Sequence, residues 1–234
     1  MQKSINKRKF LTFFIILFLI PLTVILATFS AQKISYYVAG ILIICYMMLP
    51  FFMAFEGRRP QARELVIISV LCAVAVVGRA AFFMLPNFKP IIAVVVIAGI
   101  CFGGETAFLV GAVSGFVSNF FFGQGPWTPW QMFAFGIIGF ISSIIFSKNI
   151  LPKTRLFICV FGVLSTFFIY GGIMNLFTVL STLNQLSFDV FLKVYVAAVP
   201  FDLVHALASG VFLVFFAPPV IDILERTKKK YGLI

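Results

Sequence analysis

The sequence predicts an all-α, polytopic membrane protein, and three observations carry that class. The chain of 234 residues is 62% hydrophobic and only 11% charged, whereas soluble domains are about half apolar and about a quarter charged. Its apolar runs reach the ~20 residues that a helix needs to cross ~30 Å of hydrocarbon. They lack the period-2 alternation of a barrel strand, which leaves helices as the structure that satisfies its own backbone in lipid.

Eight apolar segments follow one another, at about residues 10–31, 34–55, 64–86, 88–103, 105–122, 131–147, 155–180 and 190–217. The first follows Lys3, Lys7, Arg8 and Lys9, as a signal sequence would. Its apolar run is longer than a signal core and a second span comes almost at once, so it reads as a retained helix. The charged stretch EGRRPQAR, residues 56–63, reads as a joint. It divides a two-helix N-terminal extension (residues 1–63) from a six-helix core (64–217), which ends in a basic tail (218–234).

Placing both termini in the cytoplasm puts fourteen basic residues inside, in clusters such as Arg58, Arg59, Arg63 and Lys228, Lys229, Lys230. Outside fall only Lys33, Lys89 and Lys193, with Arg79 inside a span. The net charge of +11 therefore fixes topology and gives no reason to invoke nucleic acid. The basic tail either lies on the anionic inner leaflet of the bilayer or serves as a topology anchor.

This topology leaves three outer connections in the core: residues 85–90 (LPNFKP), 122–130 (FGQGPWTPW) and 181–189 (STLNQLSFD). The middle one holds both tryptophans of the chain, Trp127 and Trp130, between prolines, glycines and amides. Tryptophans also anchor helices at membrane interfaces. An anchor, however, needs neither Gly-Gln-Gly nor two prolines that preset the backbone. Rigid aromatic faces beside amides and hydroxyls suit an uncharged or zwitterionic organic ligand.

Charges within spans are costly and usually paired or functional. Arg79 and Asp202 either pair to hold helices together or line the floor of a cavity open to the outside; His205, three residues after Asp202, shares its helix face. A proton relay through Asp202 and His205 is a third reading. Glu105, in the turn at residues 102–106, suits the start of the next helix. The spacings Gly99–Gly103 and Gly111–Gly115 read as close internal helix packing. Ser69, Ala73 and Ala81 form a flat strip that a partner protein would fit. Cys45, Cys72, Cys101 and Cys159 stand singly in apolar segments and read as packing residues. No P-loop, H-E-x-x-H, aspartate-rich diphosphate motif or G-x-S-x-G is present, and a lone histidine leaves little for hydrolysis. The chain reads as a binder or carrier without cofactor or metal; the other reading is a membrane enzyme on a lipid or isoprenoid, centred on Arg79, Asp202 and His205.

The run RELVIISVLCAVAVVGRAAF, followed by LPNFKPIIAVVVIAGICFGGETAFLVGAVSGFVSNFFFGQGPWTPWQMFAFGIIGF, resembles the substrate-binding S component of energy-coupling factor (ECF) vitamin transporters. The GQGPWTPWQ element is its specific part. The resemblance implies a six-helix core that binds a vitamin near the outer face, together with a membrane coupling subunit and two cytoplasmic ATPases. It implies that Trp127, Thr128, Trp130 and Gln131 form part of the lid or rim, with Asn119 and Gln124 nearby. Asn87 and Lys89 would contribute from the first outer loop, Asn175 and Asn184 from the fifth core helix and the loop after it. It also implies docking through small residues of the first core helix, where Ser69, Ala73, Val77 and Ala81 match an A-x-x-x-A pattern imperfectly. The two front helices resemble an extended subgroup associated with cobalamin and related corrinoids.

Overall fold

An apolar chain in lipid must bond its backbone to itself, and this one does so in helices. The computed structural model describes residues 11, 14–29, 36–58, 60–182 and 187–232, and among these there is no strand. A π-helical stretch, Ile15–Leu19, leads into α1 (Ile20–Phe29). Then follow α2 (Tyr36–Gly57), α3 (Ala62–Ala81), α4 (Ile91–Phe102), α5 (Gly104–Phe122) and α6 (Thr128–Ser147). α7 (Arg155–Leu164) runs through a π-helical stretch, Ser165–Gly171, into α8 (Gly172–Thr182), and α9 is Phe188–Tyr231. Among the described residues, α2, α3, α5, α6, the α7–α8 run and α9 are long and apolar enough to cross a membrane.

Two segments differ from the sequence reading. The apolar run at 88–103 yields a helix of only 12 residues, about 18 Å at ~1.5 Å per residue, shorter than the ~20 residues of a full-length span. Pro90 precedes it, and Gly103, at φ +93°, turns the chain straight into α5. It is uniformly apolar because eleven of its residues are buried: α4 is a central pillar packed against α3, α5, α6 and α9. The last segment does not end at 217. α9 continues through Pro218 and Pro219 and closes at Gly232, whose φ of +60° suits a helix terminus. Its basic end folds onto the core, where Lys228 Nζ donates to the Cys101 carbonyl at 2.9 Å.

Glycine lets α5 and α6 approach closely. A Cβ on Gly111 of α5 would stand 2.6 Å from the Phe135 carbonyl carbon of α6, and one on Gly136 would stand 2.8 Å from the Phe108 ring. Gly99 meets Ser142 and Gly139 in the same way. The glycine spacings thus serve internal packing, as expected, except that Gly103 serves the turn. α2 joins the core through Ile44 and Met48, which pack with Phe108, Ala112, Trp130 and Phe133; Phe51 stacks on Phe108 with ring centroids 4.0 Å apart.

The connections sort onto two faces. Arg58, Gly103, Ser147, Lys153 and Lys228 line one cavity, so three connections and the end of α9 share a basic face. The Arg79 and Lys89 side chains meet over Phe122 at the other end of the helices, beside the tryptophan turn.

Candidate functional site

The tryptophan turn is built by its own polar groups. Thr128 Oγ1 accepts from Asn119 Nδ2 at 3.1 Å and from the Gly125 amide at 3.2 Å, and donates to Gln124 Oε1 at 3.0 Å. Gln124 Nε2 in turn donates to the Phe116 carbonyl at 2.9 Å. Trp127 folds back over the turn so closely that a Cβ on Gly125 would enter its ring. Pro129 sits in the first turn of α6, where a missing amide hydrogen costs nothing. The two tryptophans part company here. Trp127 is 38% exposed, whereas Trp130 is 4% exposed, wedged against Gly40 of α2 and tilted on Phe177 of α8.

Behind the turn, the Arg79 Nη1 group donates to Ser118 Oγ at 2.5 Å and to Asn119 Oδ1 at 2.8 Å. Its guanidinium lies over the Phe122 ring, 4.6 Å from the centroid. A continuous series of bonds therefore runs from Arg79 through buried Asn119 to Thr128, next to Trp127. Lys89 Nζ lies 5.9 Å from the same ring and donates to the carbonyls of Phe82 and Phe83. Burial first, and the Arg79 charge second, hold the Lys89 ammonium below its ordinary pKa. Asn87 takes a φ of +56° in this loop, a conformation asparagine tolerates better than most residues.

The third part lies where α7–α8 meets α9. Asp202 accepts from Asn175 Nδ2 at 2.7 Å, and the two residues border a groove of about 240 Å³ with Phe167, Phe168 and Tyr195. His205, buried, meets the Tyr170 ring edge-on at 4.6 Å. Tyr170 also stacks on Phe135 at 4.9 Å and receives a 2.8 Å hydrogen bond from Gln131 Nε2. Trp130 Nε1, Gln131 Oε1 and His205 Nε2 are buried without a hydrogen-bond partner among the described residues.

The expected Arg79–Asp202 pair does not form. Arg79 on α3 turns to α5, Asp202 on α9 turns to α8, and neutral oxygens and an amide satisfy them separately. Nor are Asp202 and His205 joined as a relay, since one engages Asn175 and the other Tyr170. Asn184 lies outside the described residues. Tyr170, Ser118 and Phe122 were missing from the sequence reading. A lone tyrosine followed by Gly-Gly within the apolar run STFFIYGG was the available signal for the first.

On the basic face, Glu64 is 4% exposed and accepts from Arg58 Nη2 at 2.5 Å and from Thr106 Oγ1 at 3.1 Å. This knot ties α3, α5 and the charged joint together. Glu105 stands in the first turn of α5, as expected. Ser69, Ala73, Val77 and Ala81 all lie on the exposed side of α3, opposite buried Ile68, Leu71, Cys72, Ala75 and Val76.

Residues 63–221 match the family described as the ECF transporter, substrate-specific component. That is more than half of the chain, so the protein belongs to this family of membrane transporter components, which are not enzymes. The chain is also similar to a UPF0397 protein of Vibrio atlanticus (strain LGP32), with 30% identity over 41% of this chain and 56% of the relative. A UPF0397 protein of Aliivibrio fischeri (strain MJ11) is 31% identical over 38% of this chain and 52% of its own length. The match thus spans about half the length of these curated relatives. No solved structure matches.

Proposed function

We propose that the chain is the high-affinity substrate-binding subunit of an ECF-type importer for a vitamin or related micronutrient, with a corrinoid such as cobalamin as the first candidate. The observation that carries the reading is the convergence of Arg79, Asn119, Thr128, Gln131, Tyr170 and His205, from five separate elements, beneath exposed Trp127. Buried polar groups without partners cost free energy. Those of Trp130, Gln131 and His205 would gain partners from a polar ligand. Trp127 supplies a flat face at the rim, while Thr128, Gln124 and Asn119 hold the turn in place. Trp130 supports it from beneath by anchoring α6 to α2 and α8. Asn175 and Asp202 line the lateral groove beside the site, and Asn87 and Lys89 shape its other edge.

The clustering of basic side chains supports a cytoplasmic position for the basic face, with both termini, in a bacterial cell. The site then faces outward, where a substrate arrives. The exposed small-residue strip of α3, Ser69, Ala73 and Ala81, would dock the membrane coupling subunit, and two cytoplasmic ATPases would drive release inside. The amide-rich, flat corrinoid suits a rim of tryptophan and amides, and α2 backs that rim where Gly40 meets Trp130.

Both tryptophans of the chain lie at the site, so intrinsic fluorescence reports it directly. Titrating cyanocobalamin onto the purified chain should quench that emission with a dissociation constant below ~1 μM, and the Trp127→Ala variant should lose the affinity. An unchanged spectrum at saturating cyanocobalamin removes the corrinoid assignment.

A further inference from the structure

We infer that Arg79 is an anion seat, and that the substrate carries a carboxylate or phosphate group bound there. The inference rests on the substrate-binding reading above and narrows its chemistry from an uncharged or zwitterionic ligand to one with an anionic group. The chain holds seven acidic residues, all of them described, and none lies within ion-pair distance of Arg79. Glu64 is taken by Arg58, Asp189 by Lys193 and Glu225 by Lys153, while Asp202 accepts from Asn175. Glu56, Glu105 and Asp222 belong to the ends of helices on the basic face.

An arginine within a membrane helix is expensive unless paired. Among the described residues, this one is met only by a hydroxyl, an amide oxygen and an aromatic face. Both of its hydrogen bonds to them come from Nη1, so the rest of the planar donor fork is left for a ligand, and that fork matches an oxyanion. Lys89 adds a second positive charge over the same phenyl ring. The neighbouring polar atoms without partners are independent evidence for an occupant: Gln131 is 6% and His205 6% exposed, and both are tied to Tyr170. The anionic end of the substrate would sit on Arg79 with its polar body against Gln131 and His205.

The test compares ligands that differ only in that group. Neutral dicyanocobinamide and its phosphate ester form one set; biotin with biotinamide and nicotinate with nicotinamide form two others. Each is titrated onto the full chain, its Arg79→Gln and Arg79→Lys variants, and Lys89→Gln. The acidic member of at least one set should bind at least tenfold tighter than its neutral counterpart. Arg79→Gln should erase that difference, a loss of about 10- to 100-fold expected for a charge-assisted bond. Arg79→Lys should keep part of it. Lys89→Gln, altered outside the spans, should narrow the gap between acidic and neutral members, so the inference stays testable even if Arg79→Gln fails to fold. Whether the carboxylate or the phosphate member prevails tells which oxyanion the seat prefers. Equal binding of neutral and acidic members, unaffected by Lys89→Gln, overturns the anion seat and leaves the substrate-binding reading standing. Binding of none of them by the wild-type chain fails that broader reading, and the seat with it.

Discussion

Trp127 and Trp130 sit three residues apart, yet the fold gives them opposite surroundings. Exposed Trp127 covers its own turn, while Trp130 fills the junction of α2, α6 and α8. Trp127→Ala should therefore leave thermal unfolding within about 1 kcal/mol of wild type, yet abolish substrate-dependent quenching. Trp130→Ala should cost about 3 kcal/mol through the cavity it leaves, seen as a lower melting temperature with or without ligand. The sequence marked both residues as one feature, because spacing along a chain does not say which side of a turn becomes a core. It also singled out Arg79, Asp202 and His205, since an ionisable group in an apolar run is conspicuous. It could not show their partners: Ser118 and Asn175 are ordinary helix residues until α5 and α8 bring them within reach.

At the scale of elements, glycine positions separate packing from mere composition. A side chain at Gly111 would meet the backbone of α6, whereas a Cβ at Gly172 meets nothing within 4 Å. Gly111→Val should destabilise by about 3 kcal/mol or more. Gly172→Ala should be neutral or stabilising by about 0.5–1 kcal/mol, and thermal melts of the two variants decide the matter. The Arg58–Glu64–Thr106 knot makes a second element-level prediction. Glu64→Ala strips buried Thr106 and Arg58 of their acceptor and should cost about 1–3 kcal/mol, a loss that Glu64→Gln should partly restore. Helix positions were largely legible from apolar runs and from punctuation at Pro90, Gly103 and Gly123. The status of α4 was not, because a fully buried pillar and a membrane span are equally apolar, and only the bracketing Pro90 and Gly103 limit its length. The continuation of α9 past residue 217 escaped notice for the converse reason: charges and a Pro-Pro pair look like an ending, although the helix persists to Tyr231.

For the whole molecule, the proposed substrate site and the proposed docking strip fall on separate surfaces. The polar convergence lies at one end, and the small-residue strip runs along the outer side of α3. Ala73→Trp should therefore abolish co-purification with the coupling subunit and ATPases while leaving substrate binding unchanged. Loss of both together would contradict a separate docking strip. The central claim is that the chain carries a small polar substrate beneath Trp127. It is tested most directly by mass spectrometry of the small molecules released on denaturing the detergent-purified wild-type and Trp127→Ala chains. The account predicts one vitamin-like compound, near stoichiometric with the wild-type chain and depleted at least tenfold from the variant. A lipid or isoprenoid as the sole stoichiometric companion, or a vitamin retained equally by both chains, would contradict it.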